Sequence, residues 1–314
     1  MSLYSSLAIQ LNAELMFFGR EPTGYALNIT TEERKFMSIT SVLREKMRLL
    51  RMRPWLKRTL QITGGVVLFV AVGFGGLVYS IVGGNTEITD RATPAPDVRI
   101  IKDGFVSATP VDFGIVDVGE GHVVLIDAGY DPKGAALLAE LARRKVGPDA
   151  VTAIFFTHGH RDHIAGASLC PNATLYALDA DVALAEGREG SHGPLTSMMG
   201  ANPTGLHVHG LKDGAVTTVG TKSIRAIATP GHTGGSAAYL VSGVLFLGDS
   251  GWMKTDGKLA PAPWALSDDV AKDRASLVAL GKMVESEKAA VVAIVPAHTG
   301  TGKFEDLTAF TSRP

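Results

Sequence analysis

The heptapeptide Thr-His-Gly-His-Arg-Asp-His at residues 157–163 carries the strongest indication of fold and chemistry in this chain. It directly follows Val151–Phe156, a short all-apolar run that predicts a buried strand. A tight loop after such a strand can aim His158 and His160 to one side. Asp162 and His163 then face another. Because imidazole nitrogen and carboxylate oxygen are the ligands that bind zinc and similar divalent ions, the spacing predicts a metal site.

Three further residues of the same chemical types follow strand-like runs elsewhere in the chain. They are His232 in T-P-G-H-T-G-G-S, Asp249 in L-F-L-G-D-S and His298 in P-A-H-T-G. One histidine in such a place is more often a core or surface residue, but chance explains the combination poorly. Seven such groups suffice for two divalent metal ions. We expect Zn²⁺, with Mn²⁺ or Fe²⁺ as the alternatives.

The rest of residues 98–314 alternates between strand-like and helical patterns. Short apolar runs predict strands at 98–106, 111–118, 122–126, 151–156, 174–177, 206–209, 215–219, 223–228, 237–241, 244–247 and 291–295. Helical spacing of apolar residues predicts helices at 132–145, 179–186 and 267–285. Strands in clusters with helices between them indicate an α/β domain of two sheets covered by helices.

These motifs resemble the metallo-β-lactamase fold superfamily of metallohydrolases over roughly residues 98–300. The resemblance implies an αββα sandwich with a dinuclear metal site at the sandwich edge. It assigns one metal to His158, His160 and His232, and the other to Asp162, His163 and His298. Asp249 matches the carboxylate that bridges both ions in many members. Asp127, in the turn Ile-Asp-Ala-Gly, matches an early aspartate that orients ligands.

The resemblance also implies a reaction. Two cations lower the pKa of a shared water toward neutrality, which gives a bridging hydroxide, and one ion polarises the bond to be cut. Asp162 is then catalytic as well as a ligand, because it orients that hydroxide. We expect a small-molecule substrate with an ester, thioester, lactone or amide bond.

Departures from the family pattern bear on the substrate. True metallo-β-lactamases usually have Cys or Ser in place of Asp249, and quorum-quenching lactonases often have Tyr in place of Trp252. Glyoxalase II members carry a helical C-terminal extension, whereas 16 residues follow His298 here, which argues against that activity. Trp252, Met198 and Met199 lie in two Gly- and Pro-rich loops and predict an apolar edge of the substrate pocket.

Two other functions stay open. One is a non-catalytic, membrane-anchored binding module of the same fold, although degenerate members generally lose ligands and none is lost here. The other is an iron-dependent oxidoreductase of the sulfur dioxygenase kind, which uses a related mononuclear site. Neither the oligomeric state nor the physiological substrate follows from the sequence.

Composition points to a membrane. The chain has 314 residues, of which 46% are hydrophobic and 19% are charged, and its mean hydropathy of +0.18 is high for a soluble enzyme. Residues 62–82 read ITGGVVLFVAVGFGGLVYSIV, and no charge interrupts the chain between Arg58 and Glu87. About 20 apolar residues span a bilayer core, so we expect a single transmembrane helix over residues 60–82. A cleavable signal peptide is the alternative, but its apolar region is normally shorter.

Charge predicts the orientation of that helix. Residues 1–58 hold ten Lys and Arg against five Asp and Glu, and the chain's net charge of -1 leaves the remainder acidic. By the positive-inside rule, the basic segment 1–58 is cytoplasmic, while a linker at 85–97 leads to a periplasmic or extracellular hydrolase domain at 98–314. Translation starting at Met37, Met47 or Met52 would shorten the basic segment. An acidic domain makes nucleic acid an unexpected partner, and the single Cys170 excludes an intrachain disulfide.

Overall fold

A computed structural model describes residues 54–104, 110–198, 200–287 and 290–312. The basic segment before residue 54 and Met199 therefore lie outside the described residues. Two units make up the chain, Met1–Ala71 and Val72–Pro314.

A six-stranded sheet forms the first half of the larger unit. Its strands lie side by side in chain order: β1 (Val98–Asp103), β2 (Val111–Gly119), β3 (His122–Ile126), β4 (Val151–Phe155), β5 (Thr174–Leu178) and β6 (Val208–Leu211). The first three strands pair antiparallel, and β3 to β6 pair parallel. The parallel strands are joined through α2 (Ala135–Arg143), α3 (Arg161–Ile164) and α4 (Val182–Ala185), where α1 is the helix Pro54–Val82.

A five-stranded sheet forms the second half. Its strands are β7 (Val216–Val219), β8 (Lys222–Ala228), β9 (Ala237–Val241), β10 (Val244–Gly248) and β13 (Ala293–Pro296). Between β10 and β13 in the chain, β11 (Gly251–Met253) and β12 (Leu259–Pro261) form a separate two-stranded ribbon. The spatial order is β13-β10-β9-β8-β7, in which β10 and β13 run parallel and the other neighbours antiparallel. Helices α5 (Val270–Ser286) and α6 (Phe304–Thr311) complete this half.

Three clusters of buried apolar side chains show how the layers stack. Phe155 of the first sheet packs with Tyr239 and Phe246 of the second, so one cluster fills the space between the sheets. A second cluster joins the first sheet to α2, and a third joins the second sheet to α5 and α6. Complete burial of each large side chain contributes about 2 to 3 kcal/mol. The layers are therefore helix, sheet, sheet, helix, which confirms the αββα prediction.

The sequence-based boundaries differ from the structure mainly where short elements lie. Neither ribbon strand β11 nor β12 was predicted, since each has three residues and too short a pattern to recognise. Helix α6 was also missed. The predicted helix at 179–186 is a 3-10 turn, Asp179–Asp181, followed by the four residues of α4.

Helix α1 contains the apolar span expected from the sequence. Residues Gln61–Ile81 have a mean hydropathy of 2.0, and none of this span is buried. At about 1.5 Å per residue its 21 residues are long enough to cross a bilayer core. The span thus has the length and composition of a membrane helix, and a signal sequence shares both properties.

Residues 85–97, expected to be a linker, make specific contacts with the sandwich. The N–H of Thr86 donates to the carbonyl of Met253 at 2.9 Å, and the N–H of Gly300 donates to Oγ1 of Thr86 at 3.0 Å. Ile88 is buried. The packed domain thus begins before Val98.

Candidate metal centre

Strand direction gathers the candidate ligands at one edge of the sandwich. Asp127 follows β3 and the heptapeptide follows β4, and these strands are parallel neighbours. Asp249 and His298 likewise follow the parallel neighbours β10 and β13. Because carboxyl ends of parallel strands meet at one edge of a sheet, each pair is brought together without any long-range signal in the sequence.

The first group of candidate ligands consists of His158, His160 and His232. Nδ1 of His160 lies 2.9 Å from Nε2 of His158 and 3.1 Å from Nε2 of His232. Their ligand atoms all lie within 4.8 Å of one another, which is close enough for a single ion to contact all three. His158 and His232 are buried.

The second group consists of Asp162, His163 and His298, whose ligand atoms also lie within 4.8 Å of one another. Oδ2 of Asp162 is 3.4 Å from Nε2 of His298 and 3.8 Å from Nε2 of His163. His163 is fully buried, while the Asp162 side chain is 34% exposed. Asp162 is thus the ligand candidate that reaches furthest toward solvent in this group.

Asp249 lies between the two groups. Its Oδ2 is 3.3 Å from Nε2 of His232 in the first group and 3.2 Å from Nε2 of His298 in the second. Its Oδ1 is 3.2 Å from Nε2 of His163. A carboxylate in this position can contact an ion in each group.

Two acceptors fix the rings of the second group. The Asp127 carboxylate and the Pro110 carbonyl have no proton to give, so Nδ1 of His163 and Nδ1 of His298 donate to them, at 2.9 and 2.8 Å. Nε2 of each ring therefore faces the cluster. Pro110 was not expected from the sequence, because its backbone carbonyl makes the contact and any residue has one.

Two hydroxyls fix rings of the first group. The hydroxyl of Thr157 donates to Asp127 at 2.8 Å, and that of Ser267 donates to the Pro263 carbonyl at 3.0 Å. Their oxygens are then left to accept from Nδ1 of His158 at 3.2 Å and of His232 at 3.3 Å. Again the proton is on Nδ1, and the lone pair of Nε2 faces the cluster.

Asp181 connects the two histidine-bearing loops and was not found from the sequence. It is buried, and its Oδ2 accepts from the N–H of Gly159 at 2.8 Å and the hydroxyl of Thr233 at 2.9 Å. Its Oδ1 accepts from the N–H of Gly235 at 2.7 Å. Burial raises the pKa of Asp181, against the effect of these hydrogen bonds. No local pattern marks this residue, because its partners lie in loops far away in the sequence.

Two glycines permit the close approach of these loops. A Cβ at Gly235 would lie 2.5 Å from the backbone nitrogen of Asp181, and one at Gly248 would lie 2.5 Å from the side chain of Thr157. Gly248 also has φ +54°, which disfavours other residues. The glycines in the two motifs are therefore packing requirements.

Electrostatics separate the two groups. Burial depresses the pKa of His158 well below its usual range, and the nearby imidazoles of His163 and His160 add to this effect. Burial also lowers the pKa of His160, and that of His232 to about 3. The imidazoles of the first group are therefore neutral at physiological pH, the state in which imidazole binds a metal.

In the second group carboxylates outweigh burial. Burial lowers the pKa of His298, but Asp249 and Asp162 raise it to about 10. Asp249 and Asp127 likewise hold the pKa of His163 well above its usual value despite burial. These histidines hold their protons against the carboxylates, and a bound cation would take the place of those protons.

The donor set fits divalent metal ions. Nε2 of His163 and Oδ1 of Asp249 are buried and lie 3.2 Å apart without the geometry of a hydrogen bond, so neither has the well-oriented partner that buried polar atoms usually have. Five imidazoles and two carboxylates are ligands that zinc, manganese and iron share. The side chains present thus match divalent cations in type and in placement.

A cavity of about 480 Å³ opens over the cluster. His160, Asp162, Asp249 and His298 line its inner side, and residues of the loop 187–204 line its outer side. Arg161 and Glu189 also face this cavity. Its volume suits a small molecule.

The three expected pocket residues have different positions. Trp252 lines the cavity but is buried, because its ring stacks on that of His298 at 5.2 Å and its Nε1 donates to the carbonyl of Asp249 at 3.1 Å. Met198 is 84% exposed and does not line the cavity, since the short turn Thr196–Met198 buries Thr196 instead. Met199 lies outside the described residues.

Comparison with known proteins identifies the family. Residues 106–298 match the sequence profile of the metallo-beta-lactamase superfamily. Among curated relatives, a hydroxyacylglutathione hydrolase from Serratia proteamaculans is 30% identical over 146 residues, which are 46% of this chain and 49% of that protein. The chain thus spans about half the length of the curated relatives it matches.

Solved structures share the fold. A metallo-beta-lactamase from Pontibacter korlensis superimposes with a TM-score of 0.52 at 19% identity, covering 72% of this chain and 97% of that one. A metallo-beta-lactamase family protein from Thermus thermophilus has a TM-score of 0.51 at 20% identity, covering 69% and 79%. Since the family profile covers more than half of the chain and the sandwich is shared, this protein belongs to the metallo-beta-lactamase superfamily.

Proposed function

We propose that this protein is a hydrolase that holds two divalent metal ions, preferentially Zn²⁺, and cleaves an ester, thioester, lactone or amide bond of a small molecule. The observation that carries the proposal is the position of Asp249, whose two oxygens lie 3.2 to 3.3 Å from histidine nitrogens of both groups of ligand atoms. His158, His160 and His232 would hold one ion. Asp162, His163 and His298 would hold the other, and Asp249 would contact both.

Bound ions supply a lowered pKa for water and polarisation of the substrate carbonyl. The chain's own residues supply orientation. Asp162 lines the cavity, and its Oδ2 lies 3.4 Å from Nε2 of His298, so its carboxylate would orient the attacking water. Asp127 and Asp181 hold the ligand loops in place.

The cavity and the relatives together support the proposed substrate class. A cavity of about 480 Å³ accommodates a small molecule, and loop residues of mixed polarity line its outer side. The similarity to hydroxyacylglutathione hydrolases favours a thioester as the first substrate to test. Membership of the family alone does not choose among these bonds.

We further propose that α1 anchors the domain in a membrane, with the hydrolase domain on the periplasmic or extracellular side. Residues Gln61–Ile81 have the required length and hydropathy. The ten basic residues before Thr59 favour a cytoplasmic N-terminus. Protease added to intact spheroplasts would digest the domain if it is exported. Protection until lysis would overturn the orientation.

Metal analysis with a substrate panel tests the hydrolase proposal. The full chain, purified with Zn²⁺, Mn²⁺ or Fe²⁺, is assayed against matched ester, thioester, lactone, β-lactam and phosphodiester substrates. We expect about two ions per chain and metal-dependent cleavage of a carbonyl substrate. Replacing His158 by Ala should abolish both, whereas His122→Ala, at an exposed histidine of β3, should change neither.

Two results would contradict this proposal. Less than one ion per chain together with no metal-dependent cleavage would remove the hydrolytic function. Iron in a single site, with oxygen uptake on persulfides, would instead indicate the sulfur dioxygenase type of reaction.

A further inference from the structure

A second charged cluster lies away from the candidate metal centre, around Glu140 of α2. Four guanidinium groups surround this carboxylate, and we call them the arginine cluster: Arg91, Arg99, Arg143 and Arg144. Arg91 and Arg99 approach Glu140 at 3.7 Å, Arg143 at 3.6 Å and Arg144 at 3.2 Å. Glu140 itself is buried. The four arginines come from the segment before β1, from β1 and from the end of α2, so the fold brings them together.

Most donors of the arginine cluster are unused. Arg144 donates to Glu140 at 3.2 Å and to Asp117. Among the described residues, Arg91, Arg99 and Arg143 contact carboxylates only at 3.6 to 3.7 Å, too long for hydrogen bonds. Nε of Arg99 is buried without a hydrogen-bond partner, and so is Oε2 of Glu140. A guanidinium has five N–H donors, and those of the partly exposed Arg91 and Arg143 remain open to an anion from solvent.

Positive charge exceeds negative charge at this place. The four guanidinium groups face the carboxylates of Glu140 and Asp117. Asp97, the other nearby acid, is engaged by Lys222 and by the hydroxyl of Ser242. Burial raises the pKa of Asp97, but these partners outweigh it and lower that pKa, so Asp97 stays an anion bound to Lys222. Asp97 therefore does not neutralise the excess positive charge of the arginine cluster.

The cluster lines a separate cavity of about 200 Å³, together with Pro96, Val98 and the three acids. A phosphate group fits a cavity of this size, and the planar fork of arginine matches phosphate oxygens in pairs. Glu140 and Asp117 together carry two negative charges against four guanidinium charges. An anion in the cavity would balance this excess.

We propose that the arginine cluster binds a phosphate-bearing anion, either a free phosphate ester or the phosphate of a lipid headgroup. Arg91 follows Val82, the last residue of α1, by nine residues, a length of chain that reaches at most about 30 Å. If α1 anchors the protein, the site lies within that reach of its end. Lipid is therefore a natural source of the phosphate.

The alternative is a purely structural network that holds α2 against β1. Glu140→Gln separates the two readings, because it removes one negative charge and keeps the shape. A phosphate site should then bind its anion more tightly, by about tenfold, since the competing carboxylate charge is gone. A structural network should only become less stable.

The test is a calorimetric titration of the full chain in non-ionic detergent with inorganic phosphate, and separately with short-chain phosphatidylglycerol and phosphatidylcholine. We expect saturable binding of phosphate that Arg99→Gln and Arg143→Gln each weaken by about tenfold. Arg225→Gln removes a comparable ion pair, with Glu287, from the other sheet and should leave Kd unchanged. Should Arg99→Gln fail to fold, the half-exposed Arg143 still decides.

The lipids then identify the source. Tighter binding of phosphatidylglycerol than of phosphate, with weak binding of phosphatidylcholine, indicates a headgroup, and the reverse order indicates a soluble phosphate ester. Absence of saturable binding would overturn the proposal. So would binding that responds to Asp249→Ala but to neither arginine substitution, because phosphate would then occupy the candidate metal centre.

Discussion

The two sides of the main cavity are built differently. Its inner side is formed by residues that follow strand ends, among them His160 after β4, and the buried Asp249 and His298 after β10 and β13. Its outer side is the loop 187–204, most of whose side chains are exposed. Chemistry that needs fixed distances is thus placed on rigid elements, and contacts that select a substrate are left to a loop. Changes on the inner side should alter catalysis, and changes on the outer side should alter selection.

Removal of Asp249 should have the largest effect. Asp249→Ala takes away the carboxylate shared by the two groups of ligand atoms, so we expect a loss of kcat of at least about a thousandfold and fewer ions per chain. Asp256→Ala removes an exposed carboxylate of the following turn, which pairs with Lys258, and should leave activity unchanged. Metal content and kcat measured together decide. Full activity of Asp249→Ala would mean that the chemistry lies elsewhere.

Metal removal should affect the inner side alone. Without cations the buried carboxylates and imidazoles of the cluster lose a shared partner, so the Tm should fall. Ions present at a thousand times Kd stabilise the fold by about 4 kcal/mol. Amide hydrogen exchange should accelerate in residues 157–163 and 231–236 after chelation and recover when zinc is added back. Equal acceleration throughout residues 187–204 would contradict the division between the two sides.

Asp181 tests whether the inner side depends on its supporting hydrogen bonds. Asp181→Asn turns one acceptor oxygen into a donor that opposes the N–H of Gly159 or Gly235, so the two histidine loops lose a shared partner. We expect metal affinity to fall by about 10- to 100-fold, as titrated by competition with a chelator. Asp179→Asn, at an exposed residue two positions away that pairs with Lys212, is the matched control. Equal effects of both substitutions would show that Asp181 has no specific role.

The same division explains what could be predicted from the sequence. His158, His232 and Asp249 were identifiable because short motifs directly follow apolar strands, so local pattern and spatial position coincide. Asp181 and Ser267 could not be, since their partners are distant in the chain and their own surroundings are ordinary. Met198 was predicted to line the pocket from the composition of its loop alone. The side of a short turn that faces inward depends on tertiary packing, and here Thr196 is buried instead of Met198. The order of strands and helices predicted two sheets covered by helices, and the family resemblance implied the αββα sandwich. The three-residue strands of the ribbon are too short to show a period.

The outer side should give the smallest effect, and one limited to substrate preference. Glu189 lines the cavity from the exposed loop and carries a negative charge. Arg161, which is not a candidate ligand, lines the same cavity and carries a positive charge. Glu189→Gln should lower KM for carboxylate-bearing substrates by about two- to fivefold and leave kcat unchanged, because an exposed charge contributes at most about 1 kcal/mol. Neutral substrates of the same size should be unaffected. Arg188→Gln changes the neighbouring residue, which pairs with Glu186 and does not line the cavity, and should alter neither constant. A large fall in kcat for Glu189→Gln would place this loop in the chemistry itself and would end the separation of the two sides.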